Sequence, residues 1–390
     1  MAVLRLVAGL WLGLVASAAQ AQSLSIVVLD AVVKGGVLAD AEVLVQQGTL
    51  KSSGRTDAQG RLSLATDVVE APTSELLIRK LGYADLRVKC PCLGLNYALS
   101  PVLANPDSRR VVLSWSAPGE DLDAYLAYPH KLLFFATGKG PGTRLDVESS
   151  DSHGPETVTI DEPLPGDNYV FAVHDFTNGN NPDSLRLGRS QARVDVYRGP
   201  TLMRSYQVPQ NRQGNLWAVF RLTADGRLQD IDRVLQSNLE PGSVMNDLDV
   251  LLDPAKSIDQ VVAKDSGPVD AKSLNQQGEE RYRKGDFGGS TIYYRYAIEM
   301  DPNYAQAYSN LALALRKNSR PDEAIVADRQ AIALASGPAA STVRASAYYD
   351  MGRIYEDAGL LPTALEHYQK AREQKANEVY DKAIERLQTR

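Results

Sequence analysis

A repeated spacing near the C-terminus constrains the fold more than any other feature of this chain. Gly285-Asp286-Phe287, Ser319-Arg320-Pro321 and Gly359-Leu360-Leu361 read as one turn written three times. That register puts Ala297, Ala331 and Ala371 at a single position, 34 and then 40 residues apart. Small and large residues recur around it: Gly278, Tyr282 and Tyr294 in the first copy, Tyr308, Leu311, Ala312 and Ala324 in the second, and Tyr348, Gly352, Tyr355, Ala364 and Tyr368 in the third. A period of this length holds two helices and a turn, a unit that cannot bury its own apolar face and so stacks on its neighbours. Small side chains belong where two helices cross closely, and large ones fill the gaps between. The six extra residues between the second and third copies fall around 335–341, at Gly337-Pro338. Val379, Ala383, Ile384 and Leu387 then line one face of a last helix, as a cap over the final open edge requires.

These residues and their period resemble the tetratricopeptide repeat. The resemblance implies three helix pairs over 273–376, a capping helix over 377–390, and a binding groove lined by the first helix of each pair. In this register the groove is lined by Asn275, Glu279, Tyr282, Arg283, Gln306, Ser309, Asn310, Leu313, Arg316, Tyr349, Asp350, Arg353 and Glu356. Repeats of this kind that clamp a peptide's terminal carboxylate carry Lys, Asn, Asn, Lys and Arg at set positions. Those positions hold Asn275, Glu279, Asn310, Ser346 and Asp350 here, so only Asn310 fits and a clamp is not expected. A polar groove with tyrosines suits an extended segment or a partner helix.

Residues 1–21 read as a secretory leader. Arg5 is followed by an apolar run from Leu6 to Val15 and by Ala19-Gln20-Ala21, a small-residue cleavage site before Gln22. The run is far short of the roughly 20 apolar residues that span a bilayer. Export across the inner membrane, to a periplasmic location and with no membrane span, is the expectation.

Between the leader and the repeats, 44% apolar and 23% charged residues over the chain describe an ordinary globular composition. The formal net charge is -6 and no basic stripe occurs, so nucleic acid is not an expected partner. From Leu24 to Leu103, short runs such as Ile26–Leu29, Ala41–Val45, Leu62–Leu64 and Glu75–Arg79 stand between Gly, Asp and Pro clusters, the mark of an all-β module. Val37 to Val43, Arg55 to Leu62 and Leu81-Gly82-Tyr83 resemble the carboxypeptidase regulatory-like fold. That resemblance implies a β-sandwich over 24–103, a hairpin turn at Asp57–Gly60 and Tyr83 packed across the sandwich.

A second module over 107–232 offers six strands: Val111–Trp115, Leu132–Phe135, Val158–Ile160, Tyr169–Val173, Ala192–Tyr197 and Leu216–Leu222. Its string Trp115 to Asp123, then Pro129, Asp151 to Glu156, Gly166 to Val170 and Trp217, resembles the YfaP-like secreted β domains of unknown function. The match departs at Ala124 and Tyr125, where those domains usually carry His. Residues 233–272 read as a linker, with 247–254 as one short helix or strand and a hinge at 265–268. The fold class is therefore multidomain: two all-β sandwiches followed by an all-α repeat solenoid.

Chemistry is thinly represented. Only His130, His153, His174 and His367 occur, and no zinc-protease, nucleophile-elbow or phosphate-loop motif is present, so no enzyme is expected. Asp121 and Asp123 fall on one side of a strand. With Asp151 and Asp175 they form the one carboxylate group that could hold a hard cation such as Ca²⁺, although Asp is common at turns. Cys90 and Cys92, two residues apart, read first as two thiols, because so small a disulfide ring is hard to close. The reading is a periplasmic adaptor, without a cofactor, that binds another envelope protein or peptide through the groove. The alternative is a central β domain that binds Ca²⁺, glycan or cell-wall polymer, with the repeats used for homo-oligomerisation.

Overall fold

The computed structural model describes residues 22–68, 71–90, 92, 94–116, 119–149, 154–237, 244–256 and 269–389. The expected leader, Asp151, His153 and the expected hinge at 265–268 lie outside these residues. The chain divides into two compact units. The first holds the β-rich part; the second comprises 183–188, 209–214 and everything from 264 onward.

The first unit begins with seven strands: β1 (Gln22–Asp30), β2 (Glu42–Gln47), β3 (Leu50–Arg55), β4 (Arg61–Thr66), β5 (Glu75–Arg79), β6 (Leu86–Lys89) and β7 (Asn96–Leu99). They form a three-stranded sheet in the order β4-β1-β7 and a four-stranded sheet in the order β3-β2-β5-β6. Alternation decides what faces inward. Leu24, Ile26 and Val28 of β1, Val43 and Val45 of β2, Leu76 and Ile78 of β5, and Leu86 and Val88 of β6 are all buried between the sheets. Each such side chain contributes about 1.5–3 kcal/mol on leaving water. Asp57 closes the expected hairpin by accepting from the N–H groups of Gln59 and Arg61. Tyr83 packs on this core and donates its hydroxyl to Asp30 at 2.7 Å. The sequence favoured free thiols for Cys90 and Cys92, but the structure joins them in a disulfide with Cα atoms 4.5 Å apart, and both are buried in the core.

Eleven strands follow: β8 (Arg109–Ser114), β9 (Leu122–Tyr128), β10 (Lys131–Leu133), β11 (Lys139–Gly140), β12 (Thr143–Val147), β13 (Glu156–Ile160), β14 (Tyr169–Asp175), β15 (Arg193–Arg198), β16 (Thr201–Gln207), β17 (Leu216–Leu222) and β18 (Leu228–Leu235). A five-stranded sheet runs β10-β9-β14-β17-β18 and a six-stranded sheet runs β11-β12-β13-β8-β15-β16. Strands β8, β9, β13, β14 and β17 are buried along their whole length, which explains why β9, with its uninterrupted Leu-Asp-Ala-Tyr-Leu-Ala-Tyr, shows no alternation to the eye. Two buried anchors tie the module together. Glu156 accepts from the backbone N–H of Ala124 (2.6 Å) and of Ser149 (3.2 Å), and a Cβ placed on Gly154 would stand 2.8 Å from the Trp115 ring. The two sandwiches also share a core, for Val112 and Tyr197 are buried with the first module's residues.

Helix α1 (Arg186–Arg189) follows β14, and α2 (Met245–Leu252) follows β18. The latter is the short helix or strand expected at 247–254 within the linker over 233–272, and it is packed on the domain where free chain was expected; 238–243 and 257–268 lie outside the described residues. Val244, Leu248, Leu251 and Leu252 are buried on Ala127, Val170, Ala172 and Ala218 of the five-stranded sheet. The burial of an apolar face, rather than local propensity, makes this segment part of the domain.

The second unit contains α3 (Ala271–Arg283), α4 (Phe287–Met300), α5 (Ala305–Lys317), α6 (Pro321–Leu334), α7 (Ala340–Asp357), α8 (Leu361–Gln374) and α9 (Glu378–Gln388). Asp270 caps α3 through a reciprocal box with Ser273, Asp286 caps α4, and Asn377 caps α9. The three turns read from the sequence are equivalent in space: Gly285, Ser319 and Gly359 all take the left-handed conformation, at φ 83, 58 and 76°. Ala297, Ala331 and Ala371 are fully buried at one repeat position. On α9 the buried face is Tyr380, Ala383, Ile384 and Leu387; Val379, expected there, is half exposed, because it lies in the first turn one residue off the stripe.

Candidate protein-binding groove

Helices α3, α5 and α7 lie side by side, and their spacing is set by the residues at each crossing. A Cβ on Gly278 would lie 2.6 Å from the ring of Tyr294, and one on Gly352 would lie 2.5 Å from the ring of Tyr368. Glycine at these positions lets the tyrosine of the second helix lie flat against the first. The middle repeat has Ala312 where its neighbours have glycine, and the opposing position holds Asp328 instead of tyrosine. The substitution is visible in the aligned repeats, but what surrounds Asp328 is set by the fold.

Asp328 is fully buried and neither carboxyl oxygen accepts a hydrogen bond. Burial pushes its acidity well above the usual carboxylate range, the charge of Asp350 adds to this, and Arg316 opposes it. Arg316 itself donates to Asp350 at 2.5 Å, in a pair with almost no exposure. Burial also raises Asp350, against the pull of Arg316. The pair and Asp328 thus form a buried charge group behind the middle of the groove.

The groove residues expected from sequence separate into two sets. Gln306 Nε2 donates to Asn310 Oδ1 (3.0 Å). Asn310 Nδ2 donates to Asn275 Oδ1 (2.9 Å) and Glu279 Oε1 (3.0 Å), and Asn275 Nδ2 donates to the same Glu279 oxygen (2.8 Å). This ladder of amides bridges the first two repeats. Beside it Glu279, Tyr282, Arg283, Tyr294, Asn310 and Leu313 line a cavity of about 210 Å³. Arg283 donates to the backbone carbonyl of Glu279, and Tyr282 meets Phe287 edge to face at 5.1 Å. Arg353 is exposed and enters no ion pair among the described residues.

The other set is engaged inside the array. Arg316 is held by Asp350. Tyr349 packs between Tyr368 (5.4 Å) and Tyr380 (5.0 Å). Glu356 accepts from Tyr368 Oη at 2.7 Å and from Arg386 Nη2 at 2.6 Å. The contacts of Tyr349 with Tyr380 and of Glu356 with Arg386 fasten the cap helix, while the cavity at Tyr282 and Leu313 lies on the first two repeats.

Of the carboxylates considered for a cation, Asp151 lies outside the described residues, and Asp123 and Asp175 are not brought together. Register pairs Asp123 with His174 and Leu122 with Asp175, so Asp123 and Asp175 face opposite sides of the five-stranded sheet. Among the described residues no three His, Cys, Asp or Glu side chains are grouped as a metal requires. Asp175 instead accepts from the backbone and side chain of Asn178, closing a turn. Asp123 and His174 form a buried polar couple that sequence reasoning missed. His174 has no partner at either ring nitrogen, and its ring lies 5.6 Å from that of Tyr125. Burial, with Asp121 and Glu148 nearby, pushes Asp123 up to about 7, and burial pushes His174 down to about 4. Their cross-strand pairing was invisible without the register.

Helix pairs of this size, joined by matched turns and alternating small with large residues at each crossing, make the second unit a tetratricopeptide repeat array. The family model of that description matches residues 303–377. No curated protein matches the chain. Solved structures similar to it include the N-terminal domain of stress-induced protein-1 from C. elegans, at 19% identity over 30% of this chain and 94% of that one, with a TM-score of 0.28. The Arabidopsis OM64 TPR domain is similar at 18% identity, 30% and 94% coverage and TM-score 0.28. The TPR2B domain of yeast Sti1 in complex with pHsp70 is similar at 26% identity, 31% and 98% coverage and TM-score 0.27. No helix among the described residues is long and apolar enough to cross a membrane.

Proposed function

We propose that this chain is an exported, periplasmic, non-enzymatic adaptor that works without a cofactor and grips an extended segment or helix of another envelope protein in the groove of α3 and α5. The observation that carries the reading is the amide ladder of Asn275, Glu279, Asn310 and Gln306 beside the cavity at Tyr282 and Leu313. Side chains already fixed by one another lose little freedom when a ligand arrives, which lowers the cost of association. Amide and carboxylate groups at the wall supply donors and acceptors for a peptide backbone, and the tyrosine rings supply apolar contact.

The test uses the full chain expressed in its own envelope with a photo-reactive phenylalanine analogue at Leu313, and separately at the exposed Val326 on the outer helix α6. The expected outcome is one discrete protein adduct from position 313, absent from position 326 and weakened by Tyr282→Ala. Equal adducts from both positions, or insensitivity to Tyr282→Ala, would remove the groove from the account.

A further inference from the structure

A cleft of about 930 Å³ in the first unit lies where β5 and β6 meet strand β16. All of β16, from Thr201 to Gln207, lines it, with Leu77, Val88 and Lys89 among the residues opposite. Both β6 and β16 are last strands of their sheets: β6 pairs only with β5, and β16 only with β15. Each leaves one row of backbone N–H and C=O groups unpaired. Natural edges of this kind are usually covered or shortened, because they accept another strand. Here β16 runs seven residues and its side chains are mostly exposed. Its register slips between Val196 and Tyr197, leaving Met203 as the extra residue of a bulge, about one-third exposed. Bulges re-aim side chains and recur beside binding sites.

The charge of the cleft departs from that of the chain. Arg87, Lys89, Arg193 and Arg204 line it against only Glu75 and Asp85, in a protein whose formal net charge is -6. Most of these charges are already matched: Glu75 with Arg87 at 3.1 Å, Asp85 with Arg79 at 2.8 Å, Arg193 with Asp195 at 2.5 Å and Arg204 with Asp230 at 2.6 Å. Lys89 enters no ion pair among the described residues, so an uncompensated cation stands at the end of β6. Leu77, Leu202 and Met203 add apolar surface.

We propose that this cleft receives an extended, acidic peptide segment of a partner protein, added as a strand to the free edge of β16, with a carboxylate on Lys89. Strand addition takes affinity from backbone hydrogen bonds and specificity from alternate side chains. At roughly 3.4 Å per residue, β16 presents about 24 Å of edge, enough for about seven partner residues. This surface is independent of the helical groove and survives if that reading fails.

The probe is a fluorescein-labelled peptide of seven residues with Glu at alternate positions and Val, Leu and Val between, titrated into the full chain by fluorescence anisotropy. The expected result is saturable binding, weakened by about ten-fold or more in Lys89→Glu, when Lys replaces Glu in the peptide, and when alternate peptide nitrogens are methylated. The methylated peptide needs no change to the protein, so a folding defect cannot imitate its effect. Three results would overturn the proposal: no binding up to about 1 mM, equal binding of acidic and basic peptides, or indifference to methylation. Concentration-dependent dimerisation that excludes the peptide would assign the edge to a second copy of the chain and overturn it too.

Discussion

Relative to the unaltered protein, replacing Asp123 with Asn should add a pH dependence of stability of one sign, and replacing His174 with Gln should add the opposite one. The two residues face each other across β9 and β14 and are both buried. In the folded protein the Asp123 carboxyl, pushed up to about 7, keeps its proton through mildly acid pH, while the His174 imidazole, pushed down to about 4, stays bare. In the unfolded chain the single proton sits on the imidazole, near pKa ~6.5, and the carboxyl is ionised above ~3.9. Both states therefore bind one proton from about pH 4 to 6.5, and the pair contributes no slope. Taken singly, the residues do. Asp123, raised on folding, contributes stability present below about pH 4 and lost as pH rises toward 7. His174, lowered on folding, contributes stability present above about pH 6.5 and lost as pH falls toward 4. Each slope is about 1.4 kcal/mol per pH unit. Asp123→Asn should thus gain about 3 kcal/mol of stability between about pH 4 and 6.5, and His174→Gln should lose about 4 kcal/mol between about pH 4 and 7. Urea unfolding followed by the fluorescence of Trp115 and Trp217, both buried in this unit, reads the quantity directly in protein beginning at Gln22. Packing changes shift the curves equally at every pH, so only slopes matter. Once the slope of the unaltered protein is subtracted, slopes of the same sign in both variants, or none, would refute the proton accounting.

Three further outcomes are expected from the repeats. Gly352→Ala would place a methyl group 2.5 Å from the Tyr368 ring and should cost about 1–3 kcal/mol in thermal melts followed at the helical circular dichroism band; an unchanged melt would show that the crossing is loose. Asp328→Asn should stabilise the helical unit by more than about 1 kcal/mol near pH 8 and by much less near pH 4, because a carboxyl raised on folding loses stability as pH rises and the amide does not. A gain independent of pH would mean the carboxyl is not charged at a cost. Ser319→Gly should raise stability by about 0.5–1 kcal/mol, since Ser319 holds φ 58° where its two counterparts are glycine; no gain in the same melt would show that the turn carries no strain.

The repeat array is legible along the chain, because a helix pair must bury one face on the next and so imposes a period that reads directly from Ala297, Ala331 and Ala371. The sequence also implied that the preceding residues form strands, and it named Asn275, Glu279, Tyr282 and Asn310, which the fold brings together. What it left undecided are relations between residues distant along the chain. Whether Asp123 faces His174 or Asp175 depends on strand register, and a one-residue slip reverses the answer. Whether Arg316, Tyr349 and Glu356 meet a ligand or hold the array together depends on what α7, α8 and α9 bring beside them. The helix α2, weak in local signal, becomes part of a domain only through the sheet it covers. Periodicity is a local property and survives in one dimension; burial, pairing and charge neighbourhood are sums over everything that folding brings close, and tertiary structure alone decides them.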